Sequence, residues 1–371
     1  MRSGRKWQLL PIVTATALAL TLAACGSSSN SGSSGSTSSG AKAKTVGVIL
    51  PDATTSPRWE ANDRPSLTKA FTDAGLKSNI QNAGGDKAKF GTICDSMINE
   101  GVAVIMIVNL DSDSGGACLK KAAAAGIPSI DYDRLTLGGG ASYYVSFDNV
   151  KVGALMGTGL EQCLGAKAKG AGVVFINGDP TDNNAALFKK GYDDQLKTDG
   201  KVTVLSSDKS GFWDAKKAGV AFDGLYTQFG SKIQGVISAN DTMAGGIIAS
   251  LKRNGLSGKV PVTGQDASVE GLQRILAGSQ CMTVYKNTNL EADAASKLAI
   301  DLTKGDKASA DALATGSVKD TVTGKDVKSV LATPEAIFQD SVKKVTADGF
   351  QKASDICTAE YAAACKKFGV S

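Results

Sequence analysis

The chain has 371 residues, 42% hydrophobic and 6% aromatic, which allows two domains with sizeable cores. Its formal charge is +5, but residues 1–24 hold Arg2, Arg5 and Lys6 and no acid, so the remainder sets 38 Lys+Arg against 36 Asp+Glu. That near balance, with no basic block, gives nucleic-acid binding no electrostatic support.

The first 24 residues read as a secretory signal: a cationic start, an apolar stretch over 9–22, then small residues. The apolar stretch is too short and too threonine-rich to span a bilayer, which needs about 20 apolar residues. Leu22-Ala23-Ala24-Cys25-Gly26 resembles the bacterial lipoprotein signal, in which the cysteine is lipidated and becomes the mature N-terminus. That resemblance implies a lipid on Cys25 and an anchor on the outer face of the cytoplasmic membrane. Residues 26–40 are almost wholly Ser and Gly and predict a flexible coil. With Cys25 they form a tether over 25–44 that reaches roughly 20 Å.

Six cysteines remain: Cys94, Cys118, Cys163, Cys281, Cys357 and Cys365. An even number in an exported chain points to disulfides, although the count leaves the pairing open. Cys94–Cys118 is favoured because both lie on predicted neighbouring helices of one βαβ unit. Cys357–Cys365 forms a local clip, and Cys163–Cys281 follows by elimination. A metal site is the rival use of these residues, but the chain has no His and no CxxC. No cofactor is expected.

Strand-like runs fall at 45–50, 77–81, 102–109, 128–131, 143–147, 172–177, 202–206, 233–239 and 260–264. Helical patterns separate most of them, at 65–74, 87–100, 115–125, 150–164, 184–197, 215–229, 242–254 and 269–277. The 102–108 run is apolar throughout, as a strand buried on both faces must be. Alternation of this kind predicts α/β architecture with parallel sheets. Two similar halves, divided near 147–151, are more economical than one very large sheet. A strand at 282–285 and a helix at 290–302 follow. A polar stretch at 304–328 and a short element after Pro334 end the chain.

Unusual polar residues recur just past predicted strand ends. The clusters are Arg58-Trp59, Asp131-Tyr132-Asp133-Arg134, Asp182-Asn183-Asn184, Phe212-Trp213, Asn240-Asp241, Gln265-Asp266 and Lys286. Taken alone, Asp182-Asn183-Asn184 reads more readily as a helix cap than as a site, since Asp and Asn are favoured N-caps. Seven clusters at equivalent topological positions favour a ligand cleft, because open α/β sheets bind ligands at the carboxyl ends of their strands. Their chemistry suits a neutral sugar. Carboxylates and guanidinium groups bridge vicinal hydroxyls with paired bonds, and indoles pack on the apolar C–H face of the ring. Trp59 and Trp213 are the only tryptophans after the leader. Arg58, Arg134 and Lys286 balance Asp182, Asp241 and Asp266, so a neutral ligand fits better than an anion.

These residues in this order resemble the periplasmic D-xylose-binding protein family, among the type 1 sugar-binding proteins of ABC importers. The resemblance covers about 45–353 and is carried by seven stretches above all: Ile130-Asp131-Tyr132-Asp133-Arg134, Val145 to Gly153, Asp179 to Phe188, Ala239 to Gly246, Gly255 to Lys259, Gly264 to Ala267, and Met282-Thr283-Val284-Tyr285-Lys286. It implies two Rossmann-like lobes joined by a three-strand hinge, with crossings near 147–149, 284–286 and 331–334. The N-terminal lobe would comprise 45–147 plus 286–330, and the C-terminal lobe 148–285 plus 331–371. The implied sugar ligands are Arg58 and Arg134 from the first lobe, Asp182, Asn184, Trp213, Asn240 and Asp266 from the second, and Lys286 from the hinge. Trp59 would stack opposite Trp213, while Asn183, Asp241 and Gln265 would support them. Ser56-Pro57 departs from the family's usual longer polar residues, and the six cysteines also depart from it. The implied partners are a monosaccharide, D-xylose first, and the permease subunits of an ABC importer, served by a monomer.

An enzyme is disfavoured by the absence of His, of Gly-x-Ser-x-Gly and of a Walker sequence; the lone Gly157-Thr158-Gly159 reads as a packing face. A sugar-sensing repressor would need a DNA-binding helix pair where the leader stands. The serious alternative is a binding protein for another aldose, or for a signalling molecule, that reports to a receptor.

Overall fold

In the computed structural model, residues 44–371 are described; the expectations for the leader, Cys25 and the tether lie outside them. Strand β1 (Thr45–Leu50) pairs in parallel with β2 (Lys77–Asn82) on one side and β3 (Val104–Ile107) on the other. The sheet continues through β4 (Ser129–Tyr132) and β5 (Tyr143–Phe147), both parallel. Strict alternation along β1 explains its place. Val46, Val48 and Leu50 face one core with Val104, Met106 and Tyr132. Ile49 faces the opposite core with Ile105 and Ile107. Helices Lys87–Asn99 and Ser112–Ala124 cover that second face, and the Cys94–Cys118 disulfide ties them together. Helix Thr288–Lys304 covers the first face through Ala292, Ala295, Leu298 and Ala299.

A second parallel sheet has the order β7 (Thr203–Ser210), β6 (Gly172–Asn177), β8 (Gly235–Ser238). Beyond β8, residues 260–264 make one isolated parallel bridge, Val236 with Val262, rather than the strand expected from sequence. Strand β9 (Thr283–Tyr285) follows, bridged through Val284 to Gln265. The remaining two disulfides, Cys163–Cys281 and Cys357–Cys365, lie in this half and its tail. Gly157 packs against Gln195 and Gly159 against Met282, a packing role for the Gly-Thr-Gly fragment.

The polar 304–328 stretch carries more structure than its composition signals. It holds helix Lys307–Leu313 and a hairpin of β10 (Gly316–Lys319) with β11 (Asp326–Ala332). The hairpin is an edge addition: β11 pairs in parallel with β5, and its outer face stays polar because solvent covers it. The chain then returns as β12 (Glu335–Ile337), antiparallel to β9, and ends in three short helices. It therefore passes between the two sheets after β5, after β9 and after β11. The carboxyl ends of both sheets meet between the halves. Among the described residues, no helix is long and apolar enough to cross a membrane.

Candidate functional site

Five non-glycine residues among those described have φ in the left-handed region, all at or beside residues that line the space between the halves. They are Asp133 (64°), Phe212 (53°), Trp213 (59°), Asp266 (101°) and Ala267 (52°). Strained backbone of this kind persists where surrounding structure enforces it, and it clusters at ligand sites. Asp133 follows β4, Phe212 and Trp213 follow β7, and Asp266 precedes the turn into helix Val269–Leu276. Together with buried Arg58, Arg134, Asp182 and Lys286, three of these residues (Asp133, Trp213 and Asp266) line a narrow space between the halves that is partly open to solvent.

The first half builds its wall from ion pairs. Arg58 donates Nε and Nη2 to Asp63 at 2.9 and 2.8 Å, Nη2 to Glu291 at 2.7 Å and Nη1 to Asp133 at 2.6 Å. Four of its five N–H groups are thereby committed. A π-helical turn, Trp59–Asp63, sets Asp63 back under Arg58, and Tyr132 donates its hydroxyl to Asp63 at 2.5 Å. Burial opposes the Arg58 charge, but Asp63, Asp133 and Glu291 outweigh it and raise its pKa well above the usual value. Burial drives Glu291 the other way, up to about 8 despite Arg58. Asp133 is also disfavoured by burial, yet Lys286, Arg58 and Arg134 hold it well below the usual carboxylate range. The Arg58 guanidinium lies 4.3 Å from the Trp59 ring centroid, a cation–π contact.

The second half builds its wall from helix caps and turns. Asp182 caps helix Asn183–Asp199 through the Asn184 N–H at 2.9 Å, and its other oxygen pairs with Arg134 Nε at 2.9 Å. Capping and cleft contact are thus both realised in one carboxylate. Burial raises the Asp182 pKa, with Arg134 opposing. Asn240 likewise caps helix Asp241–Arg253 while lining the cleft. Trp213 packs edge-on against Phe188 at 6.2 Å, over Gly178, where any Cβ would overlap the indole. Lys286 lies 3.5 Å from Asp133 and 3.7 Å from Asp266. Bonds also span the halves: Asn184 donates to the Asp133 carbonyl and carboxylate, each at 3.0 Å.

All nine expected ligand residues, Arg58, Trp59, Arg134, Asp182, Asn184, Trp213, Asn240, Asp266 and Lys286, face this space. Gln265 faces it as well, rather than standing behind it, and its Oε1 has no hydrogen-bond partner among the described residues. The Nε1 atoms of Trp59 and Trp213 are in the same position. Asn183 does not line the space. Asp241 is turned away from it, accepting from Gln280 at 2.6 Å and from the Ser268 N–H at 2.9 Å. The expected charge balance therefore holds with a different member: Asp133, not Asp241, opposes the three cations alongside Asp182 and Asp266. Sequence reasoning missed Asp133 as a wall residue, and Asp63 and Glu291 behind it. Glu291 carried a signal, since it falls on the apolar stripe of its helix with Ala295 and Leu298. No group of carboxylates or cysteines among the described residues could hold a metal ion.

A family model described as a periplasmic binding protein domain matches residues 46–307. The chain belongs to that family. This periplasmic binding protein is 34% identical over 319 residues to the D-xylose-binding periplasmic protein of Escherichia coli, covering 85% of this chain and 93% of the relative. It is 33% identical to the multiple sugar-binding periplasmic receptor ChvE of Rhizobium radiobacter, covering 82% and 90%. Among solved structures, it matches a carbohydrate transporter solute-binding protein from Chloroflexus aurantiacus in complex with D-glucose. The TM-score is 0.77 and the identity 26%, covering 85% of this chain and 98% of that one. The periplasmic binding protein therefore has the type 1 fold, with two Rossmann-like lobes joined by three crossings, and the space between the lobes is its candidate ligand cleft.

Proposed function

We propose that this periplasmic binding protein captures a neutral monosaccharide between its lobes, D-xylose first, and delivers it to the permease of an ABC importer. It binds and releases; it does no chemistry on the sugar. The observation that carries this reading is the wall composition: three buried cations against three carboxylates, Asp133 and Asp182 buried and Asp266 half-buried, whose charges cancel, beside two indoles. Relatives named for D-xylose binding support the choice of sugar. The relative named as a multiple sugar-binding receptor supports the second reading, another aldose reported to a receptor.

The lobes comprise 45–147 plus 286–330 and 148–285 plus 331–371, and closure about the crossings completes the hydrogen-bond shell. Trp59 and Trp213 contact the apolar faces of the ring. Arg58, Arg134, Asp182, Asn240, Asp266 and Lys286 bind hydroxyls. Asn184, whose amide is engaged by Asn149 and Asp133, helps hold the lobes together around the sugar. A sugar with an inverted or missing hydroxyl leaves a buried group unpaired, at about 1–3 kcal/mol each. The leader exports the chain, Cys25 carries the lipid, and the Ser/Gly tether holds the monomer near the membrane.

Calorimetric titration with xylose, glucose, galactose, arabinose and ribose tests the reading. Xylose should give the tightest binding. Heat with a different aldose alone moves the assignment to that sugar, and no heat with any of them removes the sugar reading.

A further inference from the structure

The cleft does not end at Ser56 and Asp266. A second hollow, partly open to solvent, lies beyond them, and Ser56, Arg58 and Asp266 line both spaces. At this boundary the Ser56 hydroxyl donates to Asp266 Oδ2 at 3.3 Å, a long bond between a small side chain of the first lobe and a strained residue of the second. That bond lies between the two spaces, and a glycosidic oxygen would have to replace it.

The outer cavity repeats the chemistry of the inner one. Val269 and Phe350 give it an apolar wall, and Phe350 is held in place against Tyr285 with ring centroids 5.2 Å apart. Asn62 and Gln351 supply amides, and Glu270 supplies a carboxylate at the rim. Apolar surface beside amide and carboxylate groups matches a sugar ring, which has one apolar face and hydroxyl edges. The field excludes anions. Asp266 and Glu270 both face the cavity, while its one cation, Arg58, already has most of its donors taken by carboxylates.

We propose that this cavity is a second, outer subsite for a neutral sugar ring, joined by a glycosidic bond to the ring held in the main cleft. The protein would then accept a disaccharide or a neutral glycoside as well as a monosaccharide. This rests on the sugar-binding reading above and extends it.

The test is calorimetric titration of the exported chain with xylose and xylobiose, and with glucose and cellobiose. Two variants accompany it: Asn62→Ala, which only removes polar atoms, and Ala61→Trp, which fills the outer cavity from its exposed rim. The disaccharide of the preferred sugar should bind within about tenfold of the monosaccharide. Asn62→Ala should weaken the disaccharide about five- to tenfold, the loss of roughly one hydrogen bond, and leave the monosaccharide within about twofold. Ala61→Trp should abolish disaccharide binding alone. Monosaccharide binding with no disaccharide binding overturns the outer subsite while leaving the main reading intact. So does disaccharide binding that neither variant changes, or a variant that weakens both sugars equally. If none of the five aldoses above binds, the sugar reading fails first and the outer subsite with it.

Discussion

The two walls of the cleft face the same space but are held in different ways. In the first lobe, Arg58 is locked by three carboxylates, so each side chain is positioned by its charge partners. In the second lobe, Trp213, Asn240, Gln265 and Asp266 are positioned by backbone, through caps and left-handed turns. Several of their polar atoms stay unpartnered within the protein, as for Gln265 Oε1 and Trp213 Nε1. Around Arg58 the first wall is a self-satisfied ionic network in which recognition and stability are one thing, with Trp59 Nε1 and Arg134 Nε left without a hydrogen-bond partner among the described residues. The second separates them: the backbone carries the fold and the side chains are left for a ligand.

The largest expected effect comes from breaking the two walls separately. Arg58→Ala leaves Asp63, Asp133 and Glu291 buried without their cation. Removing one partner from a buried pair costs about 3–5 kcal/mol, so this variant should lose both sugar binding and stability. Asp266→Ala should also abolish binding, yet cost less stability than Arg58→Ala, since it removes only a long Ser56 bond and one of two carboxylates beside Lys286. Equal stability losses in the two variants would erase the contrast between the walls.

Gly178→Ala probes how the second wall is seated. A methyl group there overlaps the Trp213 ring, and overpacking costs about 1–3 kcal/mol. Displacement of the indole should change the tryptophan emission and weaken sugar binding while the chain stays folded. An unchanged emission spectrum and affinity would show that the ring does not depend on this glycine.

The smallest effect is on the pH dependence of stability, and it separates carboxylates behind the two walls. Burial pushes Asp131, behind the first, up to about 7, with its Thr136 bonds opposing. Burial pushes Asp241, behind the second, up to about 6, with Arg274 opposing. Both folded-state values lie above the unfolded one, so the native state holds more protons and stability falls as pH rises through each value. Unfolding in urea should show less stability at pH 8 than at pH 5. Asp131→Asn should shrink that difference over the range up to about pH 7, and Asp241→Asn over a range ending about a unit lower. The depressed Asp133 acts only at lower pH, where its contribution is lost as pH falls. A profile unaltered by Asp131→Asn would mean that this group titrates normally.

Much of the fold was readable locally. The strand periods of 45–50, 143–147 and 172–177 match the observed strands, because alternation and apolar runs report burial directly. The hairpin of β10 and β11 was not readable, because its exposed edge position removes the apolar pattern that marks a strand. Likewise 260–264 looked like a strand but forms only one isolated bridge, since apolar composition signals burial and not ladder pairing.

By itself, the sequence determined that polar residues crowd the ends of parallel strands, and that Asp182, Asn240 and Asp266 belong to that set. Only the tertiary structure decided which of them face inward. Asp133 enters the wall because its φ of 64° turns it toward Arg58, and Asp241 leaves it because Gln280 and Ser268 draw its carboxylate away. Glu291 joins from more than 200 residues along the chain. The physical reason is that local pattern encodes burial and capping, which act over a few residues. Charge partnership between elements depends on how the lobes bring distant segments together.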